Sequence, residues 1–409
     1  MSEMNRFNFH ELINNPNMSV LPYLTAGELN NLNLTSTRIR DIVKAYRLKY
    51  PPLLRVPYFL KYTSATISGL SENIVKACRV YRKQPSECNL RVDCSILVKS
   101  GRRGIMVQSN PPLNALEAIN NSGVKIVLNI SFGNPTHEQT TSFFIILVRM
   151  LEILKHTESI HLEFPNRGNT DWRPLQVEVD LFVSMKTALL QMQSLSSLTI
   201  SGEAPWEYIL TILPEVKTLK HLTIVVERTS VLNEPVYQDQ IIGCLYFMKQ
   251  LESLSIDSVN LNANGLIRFL KEMKQLRTFS ISNVIIHSVN YEKFPVQFAN
   301  ALKELLLLRL SNSKIDQQDI CGFLHKMLIL DDVLPNLIEL DISNNSITSE
   351  NRDMLIQSLT KLPSLISLNI SSNDLTEEDC LLINNSLPKL RLLNVFDNQG
   401  TETRMEELD

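Results

Sequence analysis

The side chains able to do chemistry are thinly spread along this chain. Its histidines are His10, His137, His156, His161, His221, His287 and His325. A metal site on one helix needs two histidines four apart, with a Glu between them in the hydrolytic form. The nearest pair, His156 and His161, lies five apart and leaves a helical turn on different faces. Cys78, Cys88, Cys94, Cys244, Cys321 and Cys380 are dispersed with no Cys-x-x-Cys. That pattern reads as buried thiols in a reducing compartment, against a zinc or redox pair. There is no Gly-x-Ser-x-Gly around a nucleophile and no Walker motif, and 12 glycines leave little for a phosphate cradle. Residues Lys99–Gly104, with Arg102 and Arg103, form a basic turn that reads as a solvated hairpin. The sequence therefore predicts no catalytic residue, no cofactor and no metal.

What organises the chain is a repeat. Leu337, Leu340, Ile342, Asn345 and Ile347 set a register that returns at Leu365, Leu368, Ile370, Asn373 and Leu375. It returns again at Leu390, Leu393, Val395 and Asn398; the units begin 28 and then 25 residues apart. The apolar residues alternate as on a short strand and fill a core, and the intervening ones face outward. The Asn side chain can bond backbone groups of the turn that no ladder reaches. The rest of each unit climbs back as a helix. Thr376 before Glu377, Glu378 and Asp379 predicts an N-cap with acids in the first turn, and Leu381, Leu382 and Ile383 predict the apolar face.

This pattern resembles the leucine-rich repeat, and its helical return and spacing resemble the ribonuclease-inhibitor-like subtype. The resemblance implies an α/β leucine-rich-repeat solenoid, a horseshoe, preceded by a small N-terminal helical domain; such a solenoid is a binding surface. Upstream the register decays. Ser313 takes the Asn slot after Leu305, Leu308 and Leu310, and Val284 and Val259 take it in the two units before. Units from Leu219 and Leu195 keep only the strand, and Ile160–Leu162, Leu128–Ile130 and Leu90–Val92 are weaker still. The segments Phe164–Val177 and Glu227–Gln238, with Pro and polar residues, read as loop insertions. The expected organisation is residues 1–55 as the helical segment, 56–120 as a linker with a degenerate first repeat, 121–400 as the solenoid and 401–409 as an acidic tail.

Residues 8–50 lie outside the repeat and read as short helices. Tyr23-Leu24, Glu28-Leu29, Leu32, Ser36 and Ile39 fall at the spacing of the F-box, which the segment resembles over about 40 residues. Ile39 stands where that family has Trp, Thr37 where it favours Arg or Lys, and the family's opening Leu-Pro falls at Leu12-Ile13 and not at Leu21-Pro22. The resemblance implies docking of a Skp adaptor and a cullin ligase, through Leu21, Tyr23, Leu24, Leu29, Leu32 and Ile39. The alternative is a helical cap covering the open end of the solenoid.

The outward strand positions are small and hydroxylated in the middle of the repeats: Ser253, Ser255, Thr278, Ser280. Arg309, Glu339 and Asp341, and the apolar pair Leu392 and Phe396, are the candidate contacts for an unknown target protein. Arg309 and the tail, with Glu402, Glu406, Glu407 and Asp409, also give a distant likeness to Ran-type GTPase activators, built on the same repeats. With a net charge of −3, nothing suggests capture of nucleic acid or of an anionic membrane. The apolar stretch Phe143–Val148 is too short to span a bilayer, and the N-terminus does not read as a signal peptide. The expectation is a cytoplasmic or nuclear adaptor. The glutamate-bearing C-terminus also resembles the export signals of bacterial effectors, which would place the protein in a host cytosol.

Overall fold

The structure is a computed structural model; it describes residues 54–60, 87–93, 98–101, 104–107, 117, 120–121, 125–132, 137–164, 179–226, 235–287, 292–315, 319–329, 333–399 and 405–407. The F-box-like positions Leu21, Tyr23, Leu24, Leu29, Leu32 and Ile39 lie outside the described residues. Packing divides the chain into two units, residues 1–161 with 177–195, and residues 162–176 with 196–409.

In the first unit, strands β1 (Leu54–Leu60), β2 (Glu87–Asp93) and β5 (Lys125–Ser131) pair in parallel, in that order. Strands β3 (Val98–Gly101) and β4 (Gly104–Val107) form the antiparallel hairpin that the basic turn predicted, with Gly101 opposite Gly104. Ile126, Leu128 and Ile130 of β5 are buried, and helices α1 (His137–Ile153) and α2 (Val179–Gln191) pack on each other. Phe144 on α1 stacks against Phe132 at 5.7 Å between centroids and meets Phe182 on α2 at 5.4 Å. Strand β6 (Thr157–Glu163) carries the weak Ile160–Leu162 register. The faint upstream repeats are thus strands.

The second unit shows why the repeat folds as it does. Its strands are β7 (Ser197–Ser201), β8 (His221–Val225), β9 (Ser253–Asp257), β11 (Thr278–Ser282), β13 (Leu307–Ser311), β15 (Glu339–Asp341), β16 (Ser367–Asn369) and β17 (Leu392–Asn394). All pair in parallel without a register slip, so Ser197, His221, Ser253, Thr278, Leu307, Glu339, Ser367 and Leu392 form one rung. Alternation sends Leu254, Phe279, Leu308, Leu340 and Leu368 inward, each 0–1% exposed. Helices return on the far side: α3 (Trp206–Ile212), α4 (Pro235–Tyr246), α5 (Ala263–Glu272), α6 (Phe294–Ala301), α7 (Ile320–Met327), α8 (Arg352–Leu359) and α9 (Glu377–Ser386). Phe294 and Phe298 on α6, Phe323 on α7 and Phe279 on β11 make an aromatic cluster with centroids 5.7–6.1 Å apart.

Each strand must end in a sharp bend while its amide stays in the ladder. In every strand of this set but β8 the fifth residue after the strand start does this with positive φ: Gly202 (84°), Ser258 (62°), Asn283 (55°), Asn312 (45°), Asn344 (56°), Ser372 (53°) and Asp397 (60°). Gly, Asn and Asp tolerate that region best. In all of these but Asp397, which stands in the last coil, the N–H donates to the next coil, as from Asn283 to Ser311 O (3.1 Å), Asn344 to Ser371 O (3.0 Å) and Ser372 to Phe396 O (2.8 Å).

One residue further stands the Asn slot. The Asn373 side chain donates to Ile370 O (2.8 Å), Ser371 O (3.2 Å) and Ile342 O (3.3 Å), and accepts from the N–H of Asn345 (2.9 Å) and Ile347 (3.1 Å). Asn345 and Asn398 repeat the arrangement, and Asn345 Oδ1 accepts from Ser313 N at 3.1 Å. In the coils where Val259 and Val284 fill the slot, a different device operates. Strands β10 (Leu261–Asn262), β12 (Ile285–His287) and β14 (Lys314–Ile315) form a second parallel sheet just past the bend, so a backbone ladder binds these coils where no Asn is present.

Helix starts follow local sequence. Asn262 accepts from Asn264 N (2.9 Å) to cap α5, Asp319 accepts from Gly322 N (2.6 Å) to cap α7, and Thr376 with Asp379 forms a capping box on α9. Two expectations are corrected. The insertion read over Glu227–Gln238 ends early, because α4 begins at Pro235, whose fixed φ and missing N–H suit the first helical position. On α9 Ile383 is buried, but Leu381 and Leu382 are exposed; the buried stripe runs through Asp379, Cys380 and Ile383, three to four apart. In the tail, β18 (Met405–Glu407) pairs antiparallel with β17, so the last strand edge of the repeat is not left open.

Candidate functional site

The outward strand face of the second unit brings the sequence-derived candidates onto a few neighbouring rungs. Arg309 on β13 lies directly across from Asp341 on β15, and Leu307 across from Glu339. Leu392 stands in that same rung two strands further on, after Ser367. Phe396 follows β17, at the bend. Leu392 and Phe396 are 50% and 52% exposed, although β18 pairs alongside.

The charged centre is built from the buried side outward. Asp341 is 5% exposed. Its Oδ1 accepts from the Ser343 hydroxyl (2.7 Å) and amide (3.0 Å), and its Oδ2 accepts from Arg309 Nε (2.7 Å). Burial pushes the Asp341 carboxyl up, but the Ser343 hydroxyl, the Ser343 amide, Arg309 and Asn369 together outweigh it and hold the group below its ordinary value. The carboxylate is therefore ionised and committed, and it fixes the guanidinium of Arg309, whose side chain is 43% exposed. Ser311 and Ser343 join the same two coils through their hydroxyls at 3.1 Å. Arg309 is thus a pre-oriented cation on a polar strand face, with its outer N–H groups beyond the Asp341 contact.

Much of the outward polar row is used by the fold itself, which pattern reading missed. Asp341, Asn369 and Asn394 each accept the N–H two residues on, from Ser343, Ser371 (3.1 Å) and Phe396 (3.1 Å). This is the local side-chain-to-backbone bond of an Asx turn. The signal was present in the sequence as Asp or Asn recurring at one position in three successive coils. Asp257 is likewise engaged, by Ser258 Oγ and Asn283 Nδ2, both at 2.8 Å, and Asn283 accepts in turn from Asn312. Of the sequence-derived candidates, Arg309, Glu339, Leu392 and Phe396 keep exposed or half-exposed surface.

Cys244, Cys321 and Cys380 are free and buried, and burial pushes Cys244 and Cys321 up to about 12 and Cys380 to about 11. Among the described residues no group of three His, Cys, Asp or Glu could hold a metal, and no helix is long and apolar enough to cross a membrane.

No family model matches the chain, and no curated protein does. Solved structures do align with it. A Bacteroides fragilis protein aligns at 15% identity and a TM-score of 0.44, covering 67% of this chain and 76% of its own. An internalin from Listeria monocytogenes aligns at 15% identity and 0.37, covering 85% and 95%. The leucine-rich repeat-containing protein LegL7 from Legionella pneumophila aligns at 13% identity and 0.42, covering 74% and 90%. In the second unit the α/β leucine-rich-repeat pattern is carried by the coils themselves: in-register parallel rungs, left-handed bends, an Asn ladder and helical returns.

Proposed function

We propose that the protein is a non-catalytic binding adaptor, whose repeats hold a target protein on the outward strand face while the N-terminal segment recruits a Skp adaptor and a cullin ubiquitin ligase. The observation that carries the first half is the cation Arg309, oriented by buried Asp341, on the same face as exposed Leu392 and Phe396. A fixed Arg on the same face as exposed apolar residues, three strands apart, is the composition of an interface. Arg309, Glu339, Leu392 and Phe396 would touch the target, and Asp341 would position Arg309. The second half is supported by the spacing of Tyr23, Leu24, Leu29, Leu32 and Ile39. The reading places the protein in a reducing compartment, the cytosol or nucleus, of its own cell or of a host into which it is delivered.

The alternative is a repeat scaffold with no ubiquitin link, in which residues 8–50 cap the solenoid; it is favoured by the apolar core that any first coil must cover. A pull-down of the full chain against a Skp adaptor and cullin separates the two. The adaptor reading expects binding that a Leu24→Ala/Leu29→Ala double variant loses while keeping its circular dichroism spectrum. An intact, folded chain that does not bind refutes the ligase link and leaves the scaffold.

A further inference from the structure

A column along one edge of the second unit is left over by the strand-face contacts. From β11 to β17 the residue immediately before each strand is Arg277, Leu306, Ile338, Ile366 and Arg391. The amides of the last four extend the ladder by one rung, each donating to the preceding member's carbonyl at 2.8–2.9 Å. Their side chains therefore stack about 4.8 Å apart. Leu306 is 39% and Ile338 41% exposed, and Ile366 is half-buried. The three form the floor of an open groove of about 960 Å³, which Pro363 and Pro388 also line.

Three aliphatic side chains in a row facing water are of no use to the core, which Leu305, Leu337 and Leu365 already fill from the neighbouring positions. The ends of the column are cationic. Arg391 stands at one end beside Lys389, whose Nζ rests on Pro363 O at 2.8 Å. Arg277 stands at the other, with Nη1 on the carbonyls of Lys274, Leu276 and Glu304. Among the described residues no carboxylate lines the groove. Glu252, the next position of the ladder beyond Arg277, interacts with that charge and is ion-paired with Lys220 at 2.7 Å. Because the column's amides are already bonded within the ladder, a partner cannot add a strand here and must bind through side chains.

The dimensions suit a helix. From Arg277 to Arg391 the column crosses four strand-to-strand steps, about 19 Å at the strand spacing. An α-helix repeats its face every 5.4 Å, so about 15 residues laid along the column present one side chain per rung. We propose that this column docks an amphipathic helix of a protein partner, its apolar stripe on Leu306, Ile338 and Ile366 and a carboxylate at each end on Arg277 and Arg391. This rests on the reading of the repeats as a protein-binding surface and adds the chemistry of what they bind.

The test is fluorescence anisotropy on the full chain with a synthetic helical peptide of about 16 residues. It carries Glu at its first and fifteenth residues, Leu at its fifth, eighth and twelfth, and Ala and Gln elsewhere. One control replaces both Glu with Lys and another replaces the Leu with Ser. The expected result is binding of the Glu–Leu peptide and at least about tenfold weaker binding of both controls. Ile338→Asp, at a position open enough to keep the fold, should lose binding. Arg391→Glu should weaken the Glu peptide more than the Lys peptide. Equal affinity for the Glu- and Lys-ended peptides, indifference to Ile338→Asp, or no measurable binding overturns the proposal. Sensitivity to Arg309→Ala alone would also overturn it while leaving the strand face as the binding surface, and the Skp pull-down reports on the ligase link separately.

Discussion

Replacing Asn373 by Ala removes a side chain that makes five hydrogen bonds, yet the damage is more local than that count suggests. The three carbonyls it serves keep other partners. Ile370 O also accepts from Asn398 Nδ2 (2.9 Å), Ile342 O from Asn345 Nδ2 (2.8 Å), and Ser371 O from Asn344 N (3.0 Å). The two N–H groups it accepts from differ. That of Ile347 is buried and loses its acceptor; that of Asn345, in a half-buried residue, can be reached by water. An orphaned buried donor costs about 1–3 kcal/mol, so the change should destabilise by about 2–4 kcal/mol once the second donor and the small void are included. Asn373→Val should do no better, although Val is what Val259 and Val284 offer in the same slot, because those coils have the β10–β12–β14 ladder past the bend. Denaturant melts followed by circular dichroism measure the loss, and hydrogen exchange over residues 342–350 localises it. A destabilisation below about 0.5 kcal/mol with unchanged protection of the Ile347 amide would refute the reasoning, since no buried donor could then have been orphaned.

Three further outcomes are expected. Leu340→Asp places an unpaired carboxylate in a fully buried position and should cost about 4 kcal/mol or more; an unchanged melt would argue against the inward register of β15. Burial raises the Asp379 carboxyl, but Ser349, the backbone and hydroxyl of Thr376, and Arg352 outweigh it and hold it at about 2. Its folded value lies below its unfolded one, so its contribution is present above about pH 4 and lost as pH falls towards 2. Asp379 is itself buried but its partner Arg352 is 28% exposed, and with that screening the group is worth about 1–2 kcal/mol; Asp379→Asn should flatten the acid limb of the stability curve, and a parallel limb in the variant would count against the assignment. Finally, Cys244 and Cys321, with thiols pushed up to about 12, should resist iodoacetamide at pH 8 in the folded chain and react on denaturation. Mass spectrometry showing equal rates in both states would contradict their burial.

The repeat from Leu305 to Asn398 was legible because its information is local. Apolar residues every second position define a strand, and Thr376 with Asp379 three residues on defines a helix start, whatever surrounds them. The earlier coils kept the alternation, as at Leu128 and Ile130, but not the Asn, so their strands could be found while the device joining them could not. The candidate site was half legible. Arg309 and Asp341 could be placed on one face from periodicity, but their contact, 32 residues apart in the chain, depends on the register between β13 and β15.

By itself, then, the sequence determined which residues of each coil point inward, where the helices begin, and that Asn stands ready at the bend. These follow from dihedral preferences and periods of two and 3.6 residues, which operate within a single coil. Tertiary structure alone decided how coils are joined. It buries Asp341 under Arg309 and Ser343, lets a second strand ladder stand in where Val replaces Asn, and lines up Arg277, Leu306, Ile338, Ile366 and Arg391 into one column. Those are relations between residues about 30 positions apart, set by the stacking of one coil on the next at the strand spacing, and no pattern within a coil encodes them.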